Sequence, residues 1–121
     1  MTLVEALRFG RCKPCSGGAP PLNVARAREY LAALPAWRIS GDGRRIRRNL
    51  LMKDFTSAVD LIVRIKDVAE AEGHHPDIHL TEYRRLAVEL WTHAIGGLSE
   101  NDFILAAKIE DLPKNLQESA E

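Results

Sequence analysis

Cysteine is scarce in this chain, and neither sign of charge is in excess. Only Cys12 and Cys15 occur among 121 residues. Two cysteines are too few for the disulfide scaffold of a small secreted protein, so we expect a reducing compartment. Seventeen basic residues balance seventeen acidic ones. This balance argues against nucleic acid or an anionic membrane as the partner.

Long apolar runs are also missing, and so is a signal peptide. No apolar run approaches the roughly 18 residues that a membrane span needs. Residues 1–10 lack a basic start followed by an apolar stretch. We therefore predict a cytoplasmic protein, and a chain of this length predicts one domain around one hydrophobic core.

Glycine, proline and the Cys-x-x-Cys pair concentrate at the N-terminus, in residues 1–22. This composition favours turns over any packed element, so we predict an arm that lies over the domain or is partly mobile. Residues 23–112 form the predicted domain, and residues 113–121 form a polar C-terminal tail.

Capping residues mark three predicted helices. Asn23 is a plausible N-cap for a first helix that Pro35 stops, and Asp54 is one for a long second helix that ends near Gly73. Ser99 and Asp102 have capping-box spacing before a third helix that runs to about residue 112. The second helix carries one predicted apolar stripe, consisting of Phe55, Val59, Ile62, Ile65 and Ala69.

Two predicted hairpins alternate with these helices. The first turns at residues 40–43, and the core face of its second strand holds Ile46, Arg48, Leu50 and Met52. The second turns near Glu82, and His93 ends its last strand. The order αββαββα predicts an α+β fold of two layers, with a four-stranded antiparallel sheet and three helices on one face. The free edges of such a sheet favour strand pairing between subunits.

Three of the four histidines cluster at the end of the long helix. His74 and His75 follow Gly73, and His79 lies on the next strand. Imidazole exchanges protons readily near neutral pH, so the paired histidines and His93 could serve as an acid and a base. Glu70 opposes the helix dipole in the last turn, which suggests that it favours a nearby imidazolium. We expect His79 to be structural or solvated rather than part of a site.

Other kinds of site fit the sequence less well. Zinc could take Glu70, the histidines or the two cysteines as ligands, but adjacent histidines on an extended segment point in opposite directions. No serine or cysteine has a context that would activate it as a nucleophile. We therefore predict neither a metal site nor an activated nucleophile. We interpret Trp37 and Trp91 as packing residues rather than ligand platforms.

Several spaced motifs resemble one family. Glu70-x-x-x-His74-His75-Pro76, followed by Tyr83, His93 and Asp102, is similar to the signature of the pterin-4a-carbinolamine dehydratases, also known as dimerisation cofactors of a homeodomain transcription factor. The resemblance covers roughly residues 34–112 and includes the motifs Leu34-Pro35-Ala36-Trp37 and Gly96-Gly97-Leu98-Ser99-x-x-Asp102-Phe103.

The resemblance implies an enzyme that removes water from a 4a-hydroxytetrahydropterin after an aromatic amino acid hydroxylase has turned over. It implies homodimers or homotetramers, a pterin substrate and no cofactor. It also assigns His74, His75 and His93 to the active site, with Glu70, Trp37 and Asp102 in substrate-binding or supporting roles.

A second function stays open on the same evidence. Residues 92–97 resemble a branch that includes plant and bacterial relatives thought to assist assembly of ribulose bisphosphate carboxylase (Rubisco), and Ala94 and Gly73 stand where other family members often carry polar residues. The alternative is therefore a non-enzymatic protein that acts as an assembly factor for Rubisco or binds another interaction partner.

Overall fold

The computed structural model describes residues 1–14 and 20–117. This part of the chain contains four α-helices, α1 (Leu3–Phe9), α2 (Val24–Ala32), α3 (Phe55–Glu72) and α4 (Glu100–Glu110), and four strands, β1 (Trp37–Ile39), β2 (Ile46–Leu51), β3 (Asp77–Thr81) and β4 (Arg85–Leu90). The strands form one antiparallel sheet in the order β1-β2-β4-β3. The predicted α+β class is confirmed, and the order αββαββα begins at α2.

The predicted helix ends are formed by the expected residues. The Asn23 side chain accepts the Arg26 N–H, and the Asp54 side chain accepts the Ser57 N–H. Gly73 ends α3 with φ of 65°, a left-handed conformation that glycine adopts without steric penalty. Gly73 thereby directs the chain out of α3 at the point where the paired histidines begin.

One face of the sheet meets the helices in a single core. Ile46, Leu50 and Met52 are buried there as the alternation of β2 predicts. Arg48 shares that face, and its Nε donates to Glu110 Oε1 at 2.6 Å, which joins the sheet to the end of α4.

Helix α1 corrects the prediction that residues 1–22 contain no packed element. Thr2 and Glu5 form a capping box at its start, and Leu7 is buried. Lys108 Nζ on α4 also donates to the Arg8 carbonyl at 2.7 Å. Because α1 covers α4, Ile104 and most of the other α4 residues are buried. The buried surface of α4 is therefore wider than the single apolar stripe of an ordinary surface helix.

The stripe predicted on α3 is correct only at its C-terminal end. Ile65 and Ala69 are buried, whereas Phe55 is 54% exposed and Val59 is exposed as well. The buried face is instead centred on Ala58, Leu61 and Ile65. This helix carries apolar residues in two phases, so periodicity alone does not show which one faces the sheet.

The chain also departs from prediction after β4. The strand ends at Leu90, and His93 begins a 3-10 turn, His93–Ile95, rather than ending a strand. The chain reverses here because Gly96 is left-handed, with φ of 64°, and the Thr92 N–H bonds the Gly97 carbonyl at 2.8 Å.

The C-terminal tail is partly attached to the sheet. The Lys53 N–H donates to the Asn115 carbonyl and the Gln117 N–H donates to the Leu51 carbonyl, both at 2.9 Å. Residues 118–121 of the predicted tail and Cys15 of the Cys-x-x-Cys pair lie outside the described residues. No helix within the described ranges is long and apolar enough to cross a membrane.

Candidate active site

A cleft of about 500 Å³ opens where the end of α3, the chain just after β4 and residues 11–14, here called the N-terminal segment, meet. Three of the four histidines belong to it. Its lining consists of Cys12, Lys13, Pro14, Glu72, Gly73, His74, His75, Trp91, Thr92, His93, Ala94 and Asn101.

His74 is held against a buried carboxylate. Its Nε2 lies 2.6 Å from Asp102 Oδ1, and the His74 side chain is 13% exposed while Asp102 is fully buried. An ionised carboxylate only accepts, so in a hydrogen bond to it Nε2 would be the donor. Nδ1 would then be the ring nitrogen that can take a proton, which makes His74 a candidate base.

Asp102 connects three elements around that imidazole. Its Oδ2 accepts the Thr92 hydroxyl and the Ser99 N–H, each at 2.9 Å. The Ser99 contact is half of the predicted capping box. A carboxylate with partners on both oxygens keeps one orientation, so it fixes the ring of His74.

His75 pairs with a different carboxylate. Its Nε2 lies 2.5 Å from Glu70 Oε2, and both side chains are more than half exposed. The Glu70 carboxylate predicted to favour a nearby imidazolium therefore contacts His75 and not His74. This second imidazole–carboxylate pair lies at the mouth of the cleft.

His93 rests on an aromatic residue that the sequence-based interpretation assigned to packing. The rings of Trp91 and His93 are 3.9 Å apart at their centroids, with an angle of 33° between their planes. Trp91 is fixed in turn, because its Nε1 donates to Asp77 Oδ2 at 3.3 Å and the Arg45 guanidinium lies over its ring. Its position two residues before His93 was the available signal for a role in the cleft.

Trp37 does not meet the other predicted site residues. It is buried in the core, and its Nε1 donates to Glu110 Oε1 at 3.0 Å. The cleft therefore gathers His74, His75 and His93, with Asp102 paired to His74 and Glu70 paired to His75, and Trp37 lies outside it.

Glu72 and the N-terminal segment form a part of the cleft that sequence reasoning missed. Glu72 Oε1 accepts the Cys12 N–H at 2.8 Å, although its side chain is only 4% exposed. Burial raises the pKa of the Glu72 carboxyl, but the Cys12 N–H, Lys108 and Arg11 outweigh it and lower the pKa from the usual 4.5.

The Cys12 thiol lies in the same wall and is kept protonated. Burial, followed by the negative charges of Glu72 and Asp102, raises the pKa of this thiol to about 12. A thiol of that kind is a poor nucleophile and a poor metal ligand at neutral pH. The described residues contain no group of three or more His, Cys, Asp and Glu side chains that could hold a metal ion.

Comparison with known proteins assigns the chain to a family. The family model described as pterin 4 alpha carbinolamine dehydratase matches residues 20–112, about three-quarters of the chain. The chain belongs to this family. The resemblance carried by the histidine motifs is thereby confirmed.

Relatives within the family cover most of this chain. Pterin-4-alpha-carbinolamine dehydratase 2, mitochondrial, of Arabidopsis thaliana is 42% identical over 84% of the chain, which spans only 56% of that protein's length. A Halorhodospira halophila protein, provisionally named pterin-4-alpha-carbinolamine dehydratase, is 45% identical to this chain. The alignment covers 84% of this chain and 92% of that protein.

A solved structure shares the fold. The transcriptional coactivator/pterin dehydratase from Brucella melitensis superimposes with a TM-score of 0.70 at 31% sequence identity. The match covers 74% of this chain and 95% of the other one.

Proposed function

We propose that this chain removes water from a 4a-hydroxytetrahydropterin to give the quinonoid dihydropterin, as a step in recycling the pterin after an aromatic amino acid hydroxylase has acted. The observation that supports this most is the convergence of His74, His75 and His93 on one cleft, with a carboxylate behind two of them. The names of the relatives point to the same reaction.

The reaction needs one acid and one base. The C4a–O bond breaks as the hydroxyl group takes a proton and leaves as water. The N5–H bond also breaks, and its electron pair forms the C4a=N5 double bond while the proton passes to a base. No electron is lost to an outside acceptor, so we propose that proton transfer alone suffices, without metal or cofactor.

His74 suits the role of base in this scheme. Its Nε2–H is directed at Asp102, so Nδ1 is the nitrogen that would take the N5 proton. The Asp102 carboxylate would then stabilise the imidazolium that forms and keep the ring oriented.

His75 suits the role of acid toward the leaving hydroxyl group. Glu70 Oε2 lies 2.5 Å from its Nε2, so this carboxylate would hold the ring in place beside the substrate. The exposed position of His75 at the mouth also gives the ring access to water for reprotonation. His93, whose ring packs against Trp91, would border the substrate as well.

We further propose that the chain acts in the cytoplasm as a homodimer or homotetramer that pairs through its sheet edges. Within the described sheet, β1 and β3 are the edge strands, each with one hydrogen-bonded neighbour. An unpaired strand edge is a natural site for pairing with a second copy.

The test is a rate measurement with purified chain. We expect it to accelerate carbinolamine dehydration over buffer, and we expect His75→Ala to lose most of that acceleration while its circular dichroism spectrum stays native. No acceleration by the wild-type chain would contradict the proposal. If the inactive chain instead co-purified with Rubisco subunits, the assembly-factor alternative would replace it.

A further inference from the structure

The N-terminal segment contributes one side of the cleft. Cys12, Lys13 and Pro14 belong to its lining, although their partners on α3 and α4 lie 60 to 89 positions further along the chain. The match to the family model begins only at residue 20, so this side of the cleft lies outside the residues that the model matches.

Glu72 holds the segment at a first point. Its nearly buried carboxylate accepts the Cys12 N–H at 2.8 Å and the Arg11 guanidinium at 3.2 Å, and Lys108 Nζ lies 3.8 Å away. A side chain without these oxygens would leave a partly buried N–H without its partner, which is a destabilising change.

Asn101 holds the segment at a second point. Its Oδ1 accepts the Lys13 N–H at 2.9 Å, and its Nδ2 donates to the Lys13 carbonyl at 2.5 Å. One amide side chain thus binds both backbone groups of a single residue, much as a neighbouring strand would. The Asn101 carbonyl is also 3.5 Å from Cys12 Sγ.

The segment is fixed on its N-terminal side as well. Helix α1 packs on α4 through the buried Leu7, and Gly10 passes close to Ile104, where a Cβ atom would lie only 3.2 Å from Ile104 Cδ1. Residues 11–14 therefore follow a packed helix and are held by the side chains of Glu72 and Asn101. We call these two side chains the latch.

We propose that residues 11–14, held by the latch of Glu72 and Asn101, form a preformed wall of the substrate cleft and set how tightly the substrate binds. This inference rests on the proposed function for the identity of the substrate. A wall that is ordered before binding loses little conformational freedom when the substrate enters. The latch residues are positioning residues, because they hold the wall and carry none of the proton-transfer chemistry.

The kinetic test compares two latch variants with a matched control. Glu72→Ala and Asn101→Ala should each raise KM for the carbinolamine about tenfold, with kcat within about twofold of wild type. Asp60→Asn removes one carboxylate from an exposed position on the same helix as Glu72, and it should leave both constants unchanged.

A second readout follows the wall itself. In a Cys15→Ser background, Cys12 is the only cysteine, and its protonated, half-buried thiol should react slowly with iodoacetamide. Each latch variant should speed this reaction at least about tenfold, because a released segment exposes the thiol to solvent. Asp60→Asn should not change it.

The possible results separate this inference from the proposed function. If the latch variants speed alkylation but leave KM unchanged, the wall does not bind substrate, and the inference fails while the dehydratase stands. An unchanged alkylation rate in both variants would show that Glu72 and Asn101 do not hold residues 11–14 in place, and the inference would fail. If Glu72→Ala does not fold, Asn101→Ala decides the matter alone. A wild-type chain without turnover would overturn the proposed function and this inference together.

Discussion

The cleft and the outer face of the sheet, the face away from the helices, each carry an imidazole–carboxylate pair in different surroundings. In the cleft, His74 contacts Asp102 at 2.6 Å, and on the outer face, His79 contacts Glu89 at 3.0 Å. Each imidazole also borders a cavity, of about 500 Å³ and about 410 Å³ respectively. Neither the pairing of an imidazole with a carboxylate nor the size of the cavity therefore distinguishes the two places.

Burial and the number of fixed partners do distinguish them. Asp102 is fully buried and also accepts hydrogen bonds from Thr92 and Ser99. Glu89 contacts His79, which is 52% exposed, and the exposed Arg47. Electrostatic interactions are stronger where water is excluded, and fixed groups need no reorganisation during a reaction. The comparison indicates that the surroundings of an imidazole–carboxylate pair make it a candidate for catalysis.

The largest expected effect is the difference in stability and activity between a variant without the Asp102 carboxylate and one without the Glu89 carboxylate. Asp102→Ala should lower the free energy of unfolding by about 3 kcal/mol, because it leaves buried partners without an acceptor. It should also lower kcat about 100-fold through loss of the oriented His74. Glu89→Ala should lower the unfolding free energy by less than about 1 kcal/mol, as expected for a partly exposed pair.

Urea denaturation and steady-state kinetics on the two variants measure these effects. Similar losses of stability in both variants would show that burial does not separate the two pairs, and the comparison would fail.

A smaller effect should distinguish the two tryptophans. Trp91→Leu removes the ring under His93 and should lower kcat/KM by up to about tenfold, the scale of one aromatic contact. Trp37→Phe removes the hydrogen bond to Glu110 and should lower the unfolding free energy by about 1 kcal/mol with kcat/KM unchanged. A loss of activity in Trp37→Phe alone would restore the sequence-based prediction that Trp37 belongs to the site.

The smallest expected effect concerns the pH dependence of Glu72. The pKa of its carboxyl is lowered in the folded chain from the usual 4.5, so its ionised form stabilises the fold above that pH. This stabilisation is lost as the pH falls through the lower, folded value. The difference in unfolding free energy between wild type and Glu72→Gln should therefore be constant near neutral pH and shrink below about pH 4.5. A difference that grows with acidity would contradict this assignment.

Local patterns were sufficient to predict most of the fold. The caps at Asn23, Asp54 and Gly73 and the alternation of β2 depend on neighbours within a few positions, and the structure confirms them. Helix α1 was missed because a seven-residue helix is not stable alone. It forms here on α4, about 100 positions away in sequence, and no local pattern encodes that contact.

The same distinction between local patterns and tertiary contacts applies to the candidate site. Sequence motifs located all three histidines of the cleft, together with Glu70 and Asp102, because these residues lie in recognisable spacings. The pairing of Glu70 with His75 was not predicted, since it depends on the direction in which the chain leaves Gly73. The wall at residues 11–14 could not be predicted either, because Glu72 and Asn101 reach it only through tertiary packing.

One pair of variants tests the central claim most directly. The kcat/KM for carbinolamine dehydration should be at least about 100-fold lower for His74→Ala than for wild type, the range expected when a general base is lost. His79→Ala, which removes the imidazole of the outer-face pair, should stay within about twofold of wild type. Equal losses in the two variants, or full activity in His74→Ala, would contradict the assignment of acid–base chemistry to the cleft.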